Sequence, residues 1–402
     1  MTSSPSTPSA YDRYRPQLTI LAEGTPILKA IEVVGIHRSW WKPGRTWAQT
    51  FARFDPDRSP FVTLLYETMD SPQEICTVSV FREYPSPSKE ETVPLGSDPE
   101  MWIRTVRFPN DRKLPDLHHV LADPTGHPTV LRYRPEKRCT LRFDANDPRN
   151  SCFAKVFRDN QGALIHEESQ ALWDSACNEQ LGFSVAQPKK WDAQTHTLWQ
   201  HIVQGQPILE QLGNKNGAKL AERLGRAAAS ITQCGIQPHT IFDGKNQMER
   251  SSRYVEDFRK RIPDLSDSLE RLISNLSDIH ETCSTQTLFP IHGAPHAHQW
   301  LDTGTQLGLV DFDRFSLGDR EVDAATFLTE LEFEGHTQPH VDQLKKAFLG
   351  AYESVSGPLH PSLLEAYRIH KCLAKAYKAS RSVRPDGAHK AARFLQKAIP
   401  TS

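Results

Sequence analysis

The feature that most constrains this chain is a short apolar hairpin ending in a carboxylate. Gln299-Trp-Leu and Leu307-Gly-Leu-Val flank Thr303-Gly-Thr, and the second run leads directly into Asp311. Short apolar runs joined across so tight a turn predict paired strands. A carboxylate at the end of such a strand is well placed to meet a metal ion. Gln299 opens the preceding strand, so its amide oxygen would sit beside the same metal, and Asp313 is a further candidate ligand. Mg²⁺ favours this chemistry, because it takes one or two oxygen ligands from protein and the rest from phosphate and water.

The rest of the chain sets the frame for that hairpin. At 402 residues it is long enough for two or three domains, each with its own core. A net charge of −1 gives no footprint for nucleic acid or an anionic membrane surface. No apolar run approaches the roughly 20 residues that cross a bilayer. The first 18 residues, rich in Ser, Thr and Pro, read as a disordered leader rather than a secretory signal. Seven scattered cysteines without a C-x-x-C pair point to reduced thiols and a cytoplasmic location.

Four segments follow from composition and periodicity: the leader 1–18, an amino-terminal α+β module 19–125, a small lobe 126–205 and a helical lobe 206–402. In the module, Pro60-Phe-Val-Thr-Leu-Leu-Tyr-Glu-Thr and Ile75-Cys-Thr-Val-Ser-Val-Phe read as strands, and Pro85, Pro87, Pro94 and Pro99 mark a loop-rich stretch. Strands beginning at Val130, Cys139 and Cys152 predict an antiparallel meander, followed by a helix over 164–177 and a strand from Thr197 to the Gly205 turn. Beyond it, helices are expected over 219–234, 254–277, 341–354 and 363–380.

Around the hairpin, His292-Gly-Ala-Pro-His-Ala-His-Gln-Trp comes first and Gly318-Asp-Arg-Glu-Val-Asp323 comes after. This ordered set resembles the aminoglycoside phosphotransferase and choline kinase superfamily of small-molecule kinases. Their loop runs His-Gly-Asp-x-His-x-x-Asn, followed by a strand ending Asp-Phe and then Gly-Asp-x-x-x-Asp. The chain matches at His292, Gly293, His296, Asp311, Phe312, Gly318, Asp319 and Asp323, with Gln299 at the Asn position. The resemblance covers about residues 126–385, and only 292–323 is specific. It implies an α+β, protein-kinase-like bilobal fold, with a small antiparallel-sheet N-lobe, a mainly helical C-lobe and an extra amino-terminal α+β module. ATP and Mg²⁺ are the cofactors it implies.

One departure is serious. Ala294 stands where the family has its catalytic Asp, which orients the acceptor hydroxyl and takes its proton. General-base contributions are typically about 10²–10⁴-fold, so the loss leaves residual turnover at best. Asp313 or His296 would be a substitute base. His292, His296 and His298 also have the spacing of zinc ligands, although Pro295 opposes a continuous helix there and the motif already accounts for the first two.

In the small lobe, Lys155 lies mid-strand and resembles the family's phosphate-binding Lys. Glu168, or its neighbour Glu167, would be its helix partner. Arg134, Lys137 and Arg138 lie on the connector where kinases place a phosphate-covering loop, which here contains no glycine. Gln200 and Ile202, in Trp199–Val203, resemble the hinge whose backbone holds adenine. Glu330, Glu332 and Glu334 form an acidic run that reads first as a solvated helix face; in related kinases such residues hold cationic acceptors.

Two functions follow as expectations. The first is an ATP- and Mg²⁺-dependent phosphotransferase acting on a hydroxyl of a sugar, aminosugar or amino alcohol, impaired or inactivated by Ala294. The alternative is a pseudokinase that binds nucleotide and works through a protein partner. A third use of the fold, nucleotide transfer from ATP, rests on analogy alone.

Overall fold

A computed structural model of the chain describes residues 52–54, 62–67, 75–81, 83, 85, 92–95, 98–283, 287–333, 337–381 and 386–399. The expected leader lies outside these residues. The chain divides into two compact units, each described by itself. The first comprises the described residues up to Gly162 with Trp191–Trp199 and Ala376–Arg393, and the second comprises Ala163–Lys190, Gln200–Lys375 and the residues from Phe394.

The first unit contains two antiparallel sheets. One has the order β1-β2-β3-β5-β4, from Ala52–Phe54, Val62–Glu67, Ile75–Phe81, Thr92–Leu95 (β4) and Asp98–Arg107 (β5). The stretch read as loop-rich therefore carries β4 and the start of β5: Pro94 and Pro99 are tolerated, and the register shifts at Pro94/Leu95. A short helix, α1 (Leu117–Leu121), leads into the second sheet.

That sheet has the order β10-β11-β8-β7-β6. Its strands are β6 (His127–Arg134), β7 (Arg138–Asp144), β8 (Cys152–Phe157), and, later in the chain and only in part within this unit, β10 (Pro188–Asp192) and β11 (Thr197–His201). The expected meander is β6-β7-β8. Its alternating inward residues Tyr133, Cys139, Leu141, Phe143, Cys152, Ala154 and Val156 pack on Trp199, Leu114, Leu117 and Val120. That alternation is what one buried sheet face requires.

The second unit is mainly helical. It carries most of α2 (Gln161–Cys177), then β9 (Phe183–Ser184), β12 (Gln206–Pro207), α3 (Leu209–Leu212), α4 (Gly217–Ser230), α5 (Gly244–Arg261) and α6 (Ser266–Cys283). The single helix expected over 254–277 is two helices, α5 and α6. Pro263 cannot continue a helix, and a 3₁₀ turn over Pro263–Leu265 separates them.

Next come β13 (Phe289–Ile291), β14 (Trp300–Asp302), β15 (Leu307–Leu309) and β16 (Ser316–Gly318). The unit closes with α7 (Glu321–Leu331), α8 (Gln338–Ser356) and most of α9 (Pro361–Ser380). The final helix α10 (Gly387–Ala398) and α7 add to the helices expected from the sequence. Every residue of α7 is buried, so it has no polar face to produce a helical period.

The expected hairpin is β14-β15, paired Trp300↔Leu309 and Asp302↔Leu307, with β12 on one edge and β9 parallel on the other. Trp300, Leu307, Leu309, Phe312 and Phe315 anchor it in the unit's core. No helix among the described residues is long and apolar enough to cross a membrane.

Candidate active site

The loop 292–297 hangs between a strand and a buried carboxylate. β13 pairs with β16 (Ile291↔Ser316), and just after Ile291 the N–H groups of His292 and Gly293 donate to Asp323 at 2.7 and 2.9 Å. Asp323 lies in the first turn of α7, and burial pushes its carboxyl up to about 7 against those two bonds and the charge of Lys371. Gly293 has φ +80°, and a Cβ there would lie 2.5 Å from the Arg314 carbonyl oxygen, so the position admits only glycine. His292 Nε2–H donates to the Val310 carbonyl at 3.2 Å, tying the loop to the end of β15.

Ala294 is buried and its carbonyl accepts the His296 N–H at 2.8 Å. His296 Nδ1 donates to Glu330, Ala297 N–H donates to the same carboxylate at 2.8 Å, and Lys375 Nζ lies 3.3 Å from it. Burial would raise the Glu330 carboxyl; His296 and the charges of Lys375 and Lys371 instead hold it down to about 2. The acidic run is thus not a solvated face: the Glu330 residue is 6% exposed, and Glu332 is buried between Lys345 and Arg368. Burial of a carboxylate requires such partners. Glu334 lies outside the described residues.

Gln299 joins this loop to the end of the hairpin. The His296 N–H, shared with the Ala294 carbonyl, also donates to the Gln299 amide oxygen at 2.7 Å, and the Gln299 amide N–H donates to Asp311 Oδ2 at 3.2 Å. Asp311 itself sits at φ +72°, a conformation that costs a non-glycine residue about 1–3 kcal/mol and persists where its surroundings enforce it. Asp313 follows in the turn closed by Phe315 N–H on the Phe312 carbonyl.

This donor set fits Mg²⁺: Asp311 presents a carboxylate held by an amide, and Asp313 offers another two residues on. One lone pair of the Gln299 oxygen is already engaged by the loop. Among the described residues, no group of three or more His, Cys, Asp and Glu converges on one point as a metal cage. A cavity of about 330 Å³ beside Asp319, Glu321 and His360 includes none of these candidates.

The remaining candidates are divided between the two units. Lys155 is half-buried at the middle of β8, opposite Thr140, and Arg134 ends β6; both belong to the first unit. In the second unit Glu168 is buried on α2 and accepts from His239 N–H at 2.9 Å and His239 Nδ1 at 3.1 Å. Gln200 Nε2 donates to Ser169 Oγ at 3.3 Å, and Ile202, just beyond β11, is half-buried.

Asp111, within Phe108-Pro-Asn-Asp-Arg-Lys-Leu-Pro, has no role that a motif assigns. Asp111 Oδ2 accepts from Tyr133 Oη and from Glu136 N–H, both at 2.7 Å. Glu136, in the β6–β7 turn, holds φ +59° and pairs with Arg112 at 2.8 Å and Lys113 at 2.9 Å. The turn without glycine is braced from this preceding segment instead. A charged residue forced to positive φ is invisible to a pattern search.

Residues 161–363, half of the chain, match the model of the phosphotransferase enzyme family. The chain belongs to that family. The choline kinase LicA of Streptococcus pneumoniae is 13% identical, over 68% of this chain and 94% of that one, with a TM-score of 0.50. This similarity is one of fold: an antiparallel-sheet lobe and a helical carboxy-terminal part of the protein-kinase type. The GDP complex of aminoglycoside 2′-phosphotransferase-IIIa is 15% identical over 71% and 96% of the two chains, with a TM-score of 0.49. A choline/ethanolamine kinase family protein from Mesorhizobium loti gives 15%, 71%, 93% and 0.49. No curated protein matches the chain.

Proposed function

We propose that this member of the phosphotransferase family transfers the γ-phosphoryl group of ATP to a hydroxyl of a sugar, aminosugar or amino alcohol, at a rate lowered by Ala294. The observation that carries the reading is Asp311, strained at the end of β15 and held in place by the Gln299 amide. Strain of this kind is retained where a side chain must be aimed. Mg²⁺ bound at Asp311 would supply neutralisation of phosphate charge, which is most of what phosphoryl transfer needs from its site. Asp311 binds, Gln299 orients it, and Asp323 fixes the loop that faces the acceptor. Lys155 and Arg134 would bind phosphate, and the backbone at Gln200 and Ile202 would hold the adenine.

A second reading rests on Ala294 itself. A chain that keeps the ligand positions and lacks the family's base would bind nucleotide without transferring it and act on a protein partner.

An ATP-turnover screen against sugars, aminosugars and amino alcohols separates the two, run on this chain and on Ala294→Asp. Turnover by either chain with one acceptor class supports the phosphotransferase. Binding of Mg²⁺-ATP with no turnover by either supports the pseudokinase.

A further inference from the structure

Helix α9 is pinned to α7 at two points. Tyr367 Oη donates to Asp319, just ahead of α7, and Lys375 Nζ reaches Glu330 near its end. Lys371 lies midway, four residues from each pin, and residues so spaced share a helix face. Between Asp319 and Glu330 on the α7 side lies Asp323, whose carboxylate holds the N–H groups of His292 and Gly293. Lys371 is therefore level with the loop at Ala294.

The charged groups that act on its amine are Asp323 and Glu330 from α7, Arg314 from the β15–β16 connection, His296 from the loop and Lys375 from its own helix. Among the described residues no hydrogen bond or ion pair engages that amine, whereas Asp323, Glu330 and His296 are all committed to structural bonds.

We propose that Lys371 is the proton acceptor of this site, standing in for the carboxylate that residue 294 lacks. The inference rests on the phosphotransferase reading and deepens it. The lone pair of the neutral amine takes the proton of the acceptor hydroxyl, whose O–H bond breaks as its oxygen bonds to the γ-phosphorus of a nucleoside triphosphate. The bond from that phosphorus to the β,γ-bridging oxygen breaks, its electron pair leaves with the nucleoside diphosphate, and the lysine ammonium returns the proton to water.

The electrostatics agree. Burial pushes Lys371 down to about 7, over the opposing charges of Glu330 and Asp323 and with the help of Lys375 and Arg314. A base titrating near the working pH is the most effective one.

Two measurements test this on the full chain. Acetic anhydride labelling of Lys371, followed by peptide mass spectrometry across pH 5.5–10, reads the amine without any turnover. A midpoint near 7 is expected; one near about 10.4, the ordinary lysine value, overturns the proposal. ATP turnover against the hydroxyl panel should rise with pH through about 7 in the parent, and fall about 10²-fold or more in Lys371→Met with the KM for ATP unchanged. In the double variant Ala294→Asp/Lys371→Met, turnover should return with its acid limb moved into the carboxylate range. Equal rates and pH profiles for the parent and a folded Lys371→Met overturn the proposal. Mg²⁺-ATP binding without turnover by the parent overturns it while leaving the nucleotide site intact, whereas loss of Mg²⁺-ATP binding defeats the phosphotransferase reading itself.

Discussion

The side-chain amide of Gln299 donates to Asp311 Oδ2 at 3.2 Å while its oxygen accepts the His296 backbone N–H at 2.7 Å. One residue thus couples the 292–297 loop to the Asp311 carboxylate, and both couplings are open to test.

Gln299→Leu keeps the volume and removes both bonds. The His296 N–H keeps only the Ala294 carbonyl as its acceptor, a loss of about 0.5–1.5 kcal/mol read by urea denaturation. Asp311 loses its orienting partner, so Mg²⁺-ATP affinity should fall about 10–100-fold, the range for residues that position metal ligands.

Gly293→Ala meets two obstacles at once. The backbone at φ +80° disfavours any side chain, and the new Cβ would lie 2.5 Å from the Arg314 carbonyl oxygen, which is main chain and cannot swing aside. A loss of about 1–3 kcal/mol from strain alone is expected in the melting curve, with further cost from the contact.

Glu330→Ala leaves His296 Nδ1–H, the Ala297 N–H and the Lys375 ammonium without their common acceptor. Breaking a buried ion pair from one side costs about 3–5 kcal/mol. Glu330→Gln, which retains an acceptor oxygen, should recover part of that loss in the same denaturation experiment.

The second unit contains a buried polar chain with a pH signature. Ser251 Oγ and His370 Nδ1 are 2.6 Å apart, and His370 Nε2 and His280 Nε2 are 2.9 Å apart. Burial, with the charge of His280 adding to it, lowers His370 to about 3; burial likewise lowers His280. The folded state therefore binds fewer protons than the unfolded chain below about pH 6.5, so stability present at neutral pH is lost as the pH falls. Each group contributes a slope of up to about 1.4 kcal/mol per pH unit. Melting temperatures should decline from pH 7 to 5, and His370→Gln should flatten that decline.

What the chain reveals in one dimension is local. The β14–β15 hairpin is legible because two apolar runs and Thr303-Gly-Thr lie within a dozen residues, and the β6-β7-β8 meander because its inward residues alternate. His292, Gly293, Asp311 and Asp323 are legible as an ordered pattern, which resemblance rather than periodicity supplied.

Tertiary burial erases amphipathic period, and long-range contacts leave no local pattern. Helix α7 is buried all round and so gives no stripe, and Glu330 reads as solvated until α9 and the loop close over it. Lys371 is an unremarkable residue of an amphipathic helix; only the pins at Tyr367 and Lys375 place it beside the loop. Asp111 acts on Glu136 across 25 residues, through a positive φ that no composition encodes.

The most direct test is calorimetric titration of Mg²⁺-ATP into this chain and into Asp311→Asn. Saturable, Mg²⁺-dependent binding by the chain, weakened about tenfold or more in the variant, is the predicted result. Failure of the parent chain to bind Mg²⁺-ATP, or binding that Asp311→Asn leaves unchanged, would contradict the assignment of Asp311 as the centre of the site.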